Sequence, residues 1–245
     1  MKLINVFEKT PIKLMPIGDL HVGSKEFDKT KYESTIKWIK SNKDVRVVLM
    51  GDLIDAGLKD SVGGGSFDND LEPNDQIEYI INSLTPIKDK IWCTIIGNHE
   101  ERIRERTSLD VMKYIADKLE TKYGDSSCFI KANIGGINYT IYMTHGSSSS
   151  GSAAGKLAAI EKLGQFIYAD LILMGHVHEL MSHTSTYFRI DIGNKMIVQD
   201  KRHFVITGHF VNYGGYVQKK NLFPGKTGVA KIEFSTDKKQ IRLVL

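Results

Sequence analysis

The chain has 245 residues, enough to bury a sizeable core. Its 41% apolar and 25% charged residues exclude a disordered polymer. No run approaches the roughly 20 apolar residues of a membrane helix. Met1–Asn5 lacks the apolar core of a secretory leader, so cytoplasmic residence is the expectation. A net charge of +4 is too mild for a nucleic-acid coat. It eases the approach of any anionic substrate without choosing between nucleic acid, nucleotide and phosphoprotein. The two cysteines, Cys93 and Cys128, are too far apart in sequence for a disulfide framework or a zinc finger.

In chain order, strand-like runs at Leu3–Phe7 and Lys13–Ile17 precede an amphipathic helix over Lys29–Ser41, with Tyr32, Ile36 and Ile39 at helical spacing. Val45–Met50 is nearly all aliphatic, as in a strand buried on both faces. A helix over Asn74–Ser83 leads to a strand at Ile91–Ile96, and one long helix is predicted from Glu101 to Tyr123. Phe129–Asn133 and Ile137–Thr144 read as a hairpin turned at Gly135-Gly136. A fourth helix, Ala153–Tyr168, ends before the strand Asp170–Met174. Beyond Glu179 the pattern turns to strands: Thr186–Ile192, Lys195–Val198, His203–Phe210, Val229–Phe234 and Gln240–Val244, expected in a second sheet. No linker interrupts the chain, so residues 1–245 are expected to form a single domain.

Five short stretches rich in metal-ligating side chains follow strand-like runs. They are Asp19-Leu-His21, Gly51-Asp52-Leu-Ile-Asp55, Gly97-Asn98-His99-Glu100, His145-Gly146 and Gly175-His176-Val-His178. Carboxylate, amide oxygen and imidazole gathered at strand ends describe a site for two divalent metals. Such a pair, held about 3.5–4 Å apart, clamps a phosphoryl oxygen while a bridging hydroxide attacks in line. Asp52 is the natural bridge, because a carboxylate has two oxygens and Gly51 lets the backbone turn closely. Asp19 and His21 can reach one metal and Asn98 the other. His145, His176 and His178 complete the shells. His99, beside Asn98, has the right chemistry to protonate a leaving oxygen, and Asp55 or Glu100 could orient an imidazole from behind.

This ordered set resembles the calcineurin-like metallophosphoesterase superfamily over about residues 12–180. The resemblance implies a four-layer α-β-β-α sandwich of two mixed sheets flanked by helices, and a dimetal phosphoester hydrolase. It assigns Asp19, His21, Asp52 and His178 to one metal and Asp52, Asn98, His145 and His176 to the other, with His99 as general acid. The metals it implies are manganese first, with iron, zinc, nickel or cobalt as alternatives. The chain departs from the Ser/Thr protein phosphatases, which carry Arg after the second Asp of the second motif; here Ala56 follows Asp55. The run Asp19–Phe27 looks instead like the nuclease-type small subunit of archaeal family-D DNA polymerases. The layout also resembles double-strand-break repair nucleases and small phage phosphoesterases. The expected substrate is thus a nucleic acid or nucleotide phosphodiester, with DNA foremost. A small-molecule monoester or cyclic nucleotide is the alternative, and a non-catalytic scaffold subunit the third. A homodimer is left open.

Other segments are set aside. Gly151–Lys156 imitates a phosphate-binding loop but is one residue short, with Leu157 where Ser or Thr would stand. Lys156 is kept as a candidate phosphate contact. Arg102, Arg104 and Arg106, interleaved with Glu101 and Glu105, read as a solvated helix face. His183, His203 and His209 read as structural or rim residues. The glycine- and serine-rich loops Gly57–Asn74 and Ser147–Gly155 are expected to border the site.

Overall fold

The computed structural model describes residues 1–57, 69–214, 218 and 224–245. Most of the Gly57–Asn74 loop lies outside them. The chain runs β1 (Lys2–Glu8), β2 (Ile12–Ile17), α1 (Lys29–Ser41), β3 (Val45–Leu49), α2 (Pro73–Leu84), a 3-10 turn (Thr85–Lys90) and β4 (Ile91–Thr94). It continues through α3 (Asn98–Thr107), α4 (Val111–Lys118), β5 (Lys122–Tyr123), β6 (Ser127–Ile134), β7 (Ile137–Thr144), α5 (Ala153–Leu163) and β8 (Leu171–Met174). The last strands are β9 (Leu180–Asp191), β10 (Met196–Thr207), β11 (Lys231–Phe234) and β12 (Ile241–Val244).

Two six-stranded mixed sheets result, ordered β12-β11-β2-β3-β4-β5 and β1-β6-β7-β8-β10-β9. The alternation of side chains along each strand divides the interior into three apolar layers. In the first sheet Met15, Val47 and Leu49 pack outward against Tyr32, Ile80 and Ile115 of α1, α2 and α4. Leu14 and Val48 point the other way, toward Ile130, Ile141 and Leu173 of the second sheet. On that sheet's far side Tyr142, Ile172 and Phe204 meet Ile160 of α5. Helix, sheet, sheet, helix is the order across the molecule. Arg46 on β3 fastens the sheets at one end, its Nε and Nη2 donating to Glu8 of β1 at 2.5 and 2.6 Å.

α1 forms over the predicted residues, with the Asp28 carboxylate accepting the Lys31 amide at its start. Three expectations need correction. The long helix predicted over Glu101–Tyr123 is two helices and a short strand. Ser108 takes φ +62°, which ends α3, and Asp110 caps α4 by accepting the Lys113 amide at 2.9 Å. α5 stops at Leu163, and the expected last turn, through Tyr168, is a set of tight turns. The strands beyond Glu179 do not make a sheet of their own. β9 and β10 extend the sheet of β6–β8, whereas β11 and β12 add to the sheet of β2–β5. The runs Lys195–Val198 and His203–Phe210 are mostly one strand, β10, paired along its whole length with β9. The outer half of this hairpin is solvent-exposed, including Phe188, Ile190 and Ile197. Among the described residues no helix is long and apolar enough to cross a membrane.

Candidate metal centre

β2, β3 and β4 are parallel neighbours in one sheet, and β7 and β8 are parallel neighbours in the other. The five motifs leave the C-terminal ends of these five strands, where open α/β sheets gather their ligands. The first two motif loops run side by side: the Leu20 and His21 amides donate to the Asp52 carbonyl at 2.8 and 3.1 Å. Gly51, at φ +83°, and Gly97 let the second and third loops touch. A methyl group on Gly97 would fall 2.2 Å from the Asp52 carboxylate. Five of the candidate ligands hold left-handed backbone: Asp19 (φ 49°), His21 (50°), Asp52 (50°), His176 (71°) and His178 (47°). Non-glycine residues rarely adopt this region, and strain of this kind clusters at functional sites.

All seven candidate ligands converge. His178 Nε2 lies 3.4 Å from Asp19 Oδ1 and 3.0 Å from His21 Nε2. On the other side the Asn98 side-chain oxygen lies 3.0 Å from His145 Nε2 and 2.7 Å from His176 Nδ1. Asp52 Oδ2 stands between the two groups, 3.8 Å from His21 Nε2 and 3.2 Å from His145 Nε2. Three clusters, Asp19–His21–His178, His21–Asp52–His99 and Asp52–His145–His176, have ligand atoms close enough together to hold an ion. Asp19, Asp52, His21 and His145 are buried.

The surroundings aim these atoms. His145 donates Nδ1–H to the Met50 carbonyl at 2.8 Å, which turns Nε2 toward Asp52 and Asn98. The His99 amide donates to Asp52 Oδ1 at 2.8 Å, and its Nδ1–H donates to the Asp55 carbonyl at 2.5 Å. His99 Nε2 is thereby left facing Asp52 Oδ2, 4.0 Å away. The Asp55 carboxylate accepts His21 Nδ1–H at 3.2 Å and lies 3.5 Å from His99 Nδ1. The fully buried Glu100 carboxylate accepts backbone amides: Oε1 from Leu53 (2.7 Å) and Ile54 (3.2 Å), Oε2 from Asp52 (3.0 Å) and Gly97 (3.1 Å). It fixes the path of the Asp52 loop.

Electrostatics fit a cation site. Burial opposes charge on His145, but Asp52 and Asp19 outweigh it and push the imidazole up to about 10. His21 likewise rises to about 9: burial lowers it, and the Asp55 hydrogen bond and the charge of Asp52 more than reverse that. Burial works against an ionised Asp52 too, yet His145 and His99 hold its carboxyl well below the usual range. The protein thus balances its buried carboxylates with imidazoles, the donors that divalent ions would take over. Carboxylate, amide oxygen and imidazole suit Mn, Fe, Zn or similar ions. His99 differs. Burial and the charge on His21 press it down to about 4, so it is neutral near pH 7.

A profile of the calcineurin-like phosphoesterases matches residues 12–213. The chain belongs to the calcineurin-like phosphoesterase family. Among curated proteins, the DNA polymerase II small subunit of Thermoplasma acidophilum is 29% identical over 111 residues, covering 40% of this chain and 21% of that protein. The match thus spans only about a fifth of that relative's length. Structures similar to this calcineurin-like phosphoesterase include Vps29 from Chaetomium thermophilum (13% identity, 95% of this chain and 96% of that one, TM-score 0.44). A metallophosphoesterase from Sphaerobacter thermophilus gives 13% identity, 95% and 86% coverage and a TM-score of 0.45.

The residues set aside from sequence are also located. Lys156 is buried, its Nζ 3.5 Å from Glu179 Oε2. Arg104 pairs with Glu101, Asp110 and Asp125. His203 bonds the Thr184 hydroxyl on the neighbouring strand at 2.9 Å. His209, read from the sequence as a structural or rim residue, lies against the centre. Its buried ring stacks on His178, with centroids 5.2 Å apart and planes 12° apart, and its Nδ1 accepts the Val211 amide at 3.2 Å. The available signal was the Gly208-His209 pair, which lacks the second histidine that made Gly175–His178 stand out.

Proposed function

We infer that this chain is a phosphodiesterase dependent on two divalent ions, acting on nucleic acid or nucleotide diesters, with DNA foremost. The observation that carries this is the position of Asp52, whose carboxylate faces both ligand groups at once. In this reading Asp19, His21, Asp52 and His178 hold one ion and Asp52, Asn98, His145 and His176 the other. The pair, manganese first among the candidates, would supply Lewis-acid polarisation of the phosphoryl group and an activated water. Asp55 orients His21 from behind, and Glu100 keeps the Asp52 backbone in its left-handed turn. His99 acts at the leaving oxygen. Its Nδ1–H is fixed to the Asp55 carbonyl, so Nε2 is its only site for exchanging a proton. A depressed pKa makes the protonated ring scarce but a strong acid once formed.

Three observations favour a nucleotide diester. Ala56 stands where an Arg would grip a phosphoprotein's phosphate. The matched relative is named as a DNA polymerase subunit. A cavity opens beside Asn98 and His145, with room for the second arm that a diester has and a monoester lacks. Residues 1–245 act as one domain in this reading, in the cytoplasm, with a homodimer testable by light scattering. The manganese-loaded protein is to be offered p-nitrophenyl phosphate, its bis ester, 2′,3′-cyclic nucleotides, and single- and double-stranded DNA. Hydrolysis of the bis ester and DNA is expected. Turnover of monoesters alone would replace the reading with a phosphomonoesterase. Bound metal with no turnover of any substrate would favour a scaffold.

A further inference from the structure

The cavity beside the metal centre has a volume of about 850 Å³. Asn98, His145, Ser147–Ser150, Glu101, Lys162 and Phe166 belong to its lining. His21, Asp55 and His99 are not among the described residues that line it. The two sides of the centre therefore differ. If the leaving oxygen is served by His99, its group departs on the His99 side, and the cavity on the Asn98–His145 side receives the arm that stays on phosphorus.

Phe166 indicates what that arm is. The residue is 69% exposed and lies in the cavity lining. It is not on a loose loop. The turn after α5 is closed by the Phe166 and Ile167 amides donating to the Leu163 carbonyl at 3.2 and 2.8 Å, and Ile167 is buried beneath. Arg202 secures both ends of the turn: it donates to the Gly164 carbonyl at 3.0 Å and lies 4.2 Å over the Tyr168 ring. An exposed aromatic ring on a hydrogen-bonded turn beside a cavity can serve as a stacking platform of the kind that takes any base. The polar lining suits the rest of a nucleoside. Lys162 carries positive charge, the serines offer hydroxyls, and Glu101 Oε2 is buried with no hydrogen-bond partner among the described residues, an acceptor able to take a sugar hydroxyl or exocyclic amine.

We propose that this cavity is a nucleoside subsite, in which the base of the nucleotide retained on phosphorus stacks on Phe166 and its sugar lies along Ser147–Ser150 and Glu101. The subsite rests on the phosphodiesterase reading above and narrows it to nucleotide diesters. It implies selection by the non-leaving arm.

Two diesters with the same leaving group isolate that arm: thymidine 5′-(p-nitrophenyl phosphate) and methyl p-nitrophenyl phosphate. With the full manganese-loaded chain, wild type should prefer the thymidine ester in kcat/KM. Phe166→Ala should raise KM for the thymidine ester about 5- to 150-fold, the range for one lost base stack, and leave the methyl ester unchanged. Phe166→Trp should keep the preference. Calorimetric titration with thymidine 5′-monophosphate, read without turnover, should show the same weakening in Phe166→Ala and not in Phe166→Trp. Unchanged thymidine-to-methyl selectivity together with unchanged nucleotide affinity in Phe166→Ala would overturn the subsite. Wild type that cleaves neither diester would defeat the phosphodiesterase reading instead, and the calorimetry would still decide the subsite.

Discussion

Glu100→Gln separates the support of the metal centre from its ligands. The carboxylate takes two backbone amides on each oxygen, at 2.7 to 3.2 Å. An amide side chain keeps one oxygen, and its NH₂ end must face the other two N–H donors. Two bonds to a charged acceptor are lost, each worth roughly 1.5–3 kcal/mol. Burial and the charge on Asp52 oppose this carboxylate, raising its pKa to about 7, and at pH 8 the neutral amide escapes part of that cost. A net loss of roughly 1–3 kcal/mol is expected, or a fall of roughly 2–12 °C in Tm for a chain of this size. Urea unfolding at pH 8, where the wild-type carboxyl is ionised, measures it. Glu101→Gln, whose carboxylate pairs with Arg104 nearer the surface, should cost less than about 1 kcal/mol and serves as the control. A Glu100→Gln protein within about 1 kcal/mol of wild type would refute the claim that this carboxylate holds the Asp52 loop.

Asp52→Ala and His176→Ala should each abolish turnover and lower bound manganese measured by elemental analysis; full activity in metal-loaded His176→Ala would mean the centre is misassigned. His99→Ala should retain its metal and slow the chemical step by about 10²–10⁴-fold in single-turnover assays, as loss of a proton-transfer group does. His209→Ala removes the ring stacked on His178 and should weaken metal binding by about 10-fold, as loss of a supporting partner does; an unchanged metal titration would limit His209 to packing. Tyr139 donates its hydroxyl to the Ser235 carbonyl at 2.8 Å and accepts the Gln240 amide at 3.0 Å. Tyr139→Phe should therefore cost about 1–3 kcal/mol in urea unfolding, with activity intact.

The candidate site was readable because its chemistry is local. Each motif follows an apolar strand, and two of them pair ligands two residues apart, Asp19 with His21 and His176 with His178, so the sequence alone places the side chains at strand ends. α1 was readable for a similar reason, since Tyr32, Ile36 and Ile39 sit at helical spacing on the buried face. The break between α3 and α4 was not. The apolar stripe from Ile103 to Val111 and Ile115 persists across it, and only the left-handed turn at Ser108 interrupts the helix. Sheet membership was equally hidden. Alternation tells which side of a strand is buried, but nothing local tells β1 to pair with β6, or β11 with β2. The length of β9 and β10 escaped because their outer halves are largely solvent-exposed and present no buried face to set a pattern. Glu100 was legible as a carboxylate near imidazoles, whereas its amide partners depend on how three loops cross.

The left-handed ligand residues bear on how this centre can be dissected by mutation. At His21 and His178 the usual truncation to alanine removes the imidazole and leaves a Cβ in a region that disfavours it. Glycine removes both. His21→Gly should thus be more stable to urea than His21→Ala, reversing the order found at ordinary positions, while the two are equally deficient in metal. Comparing such twins measures the conformational cost of presenting each ligand separately from the value of the ligand itself.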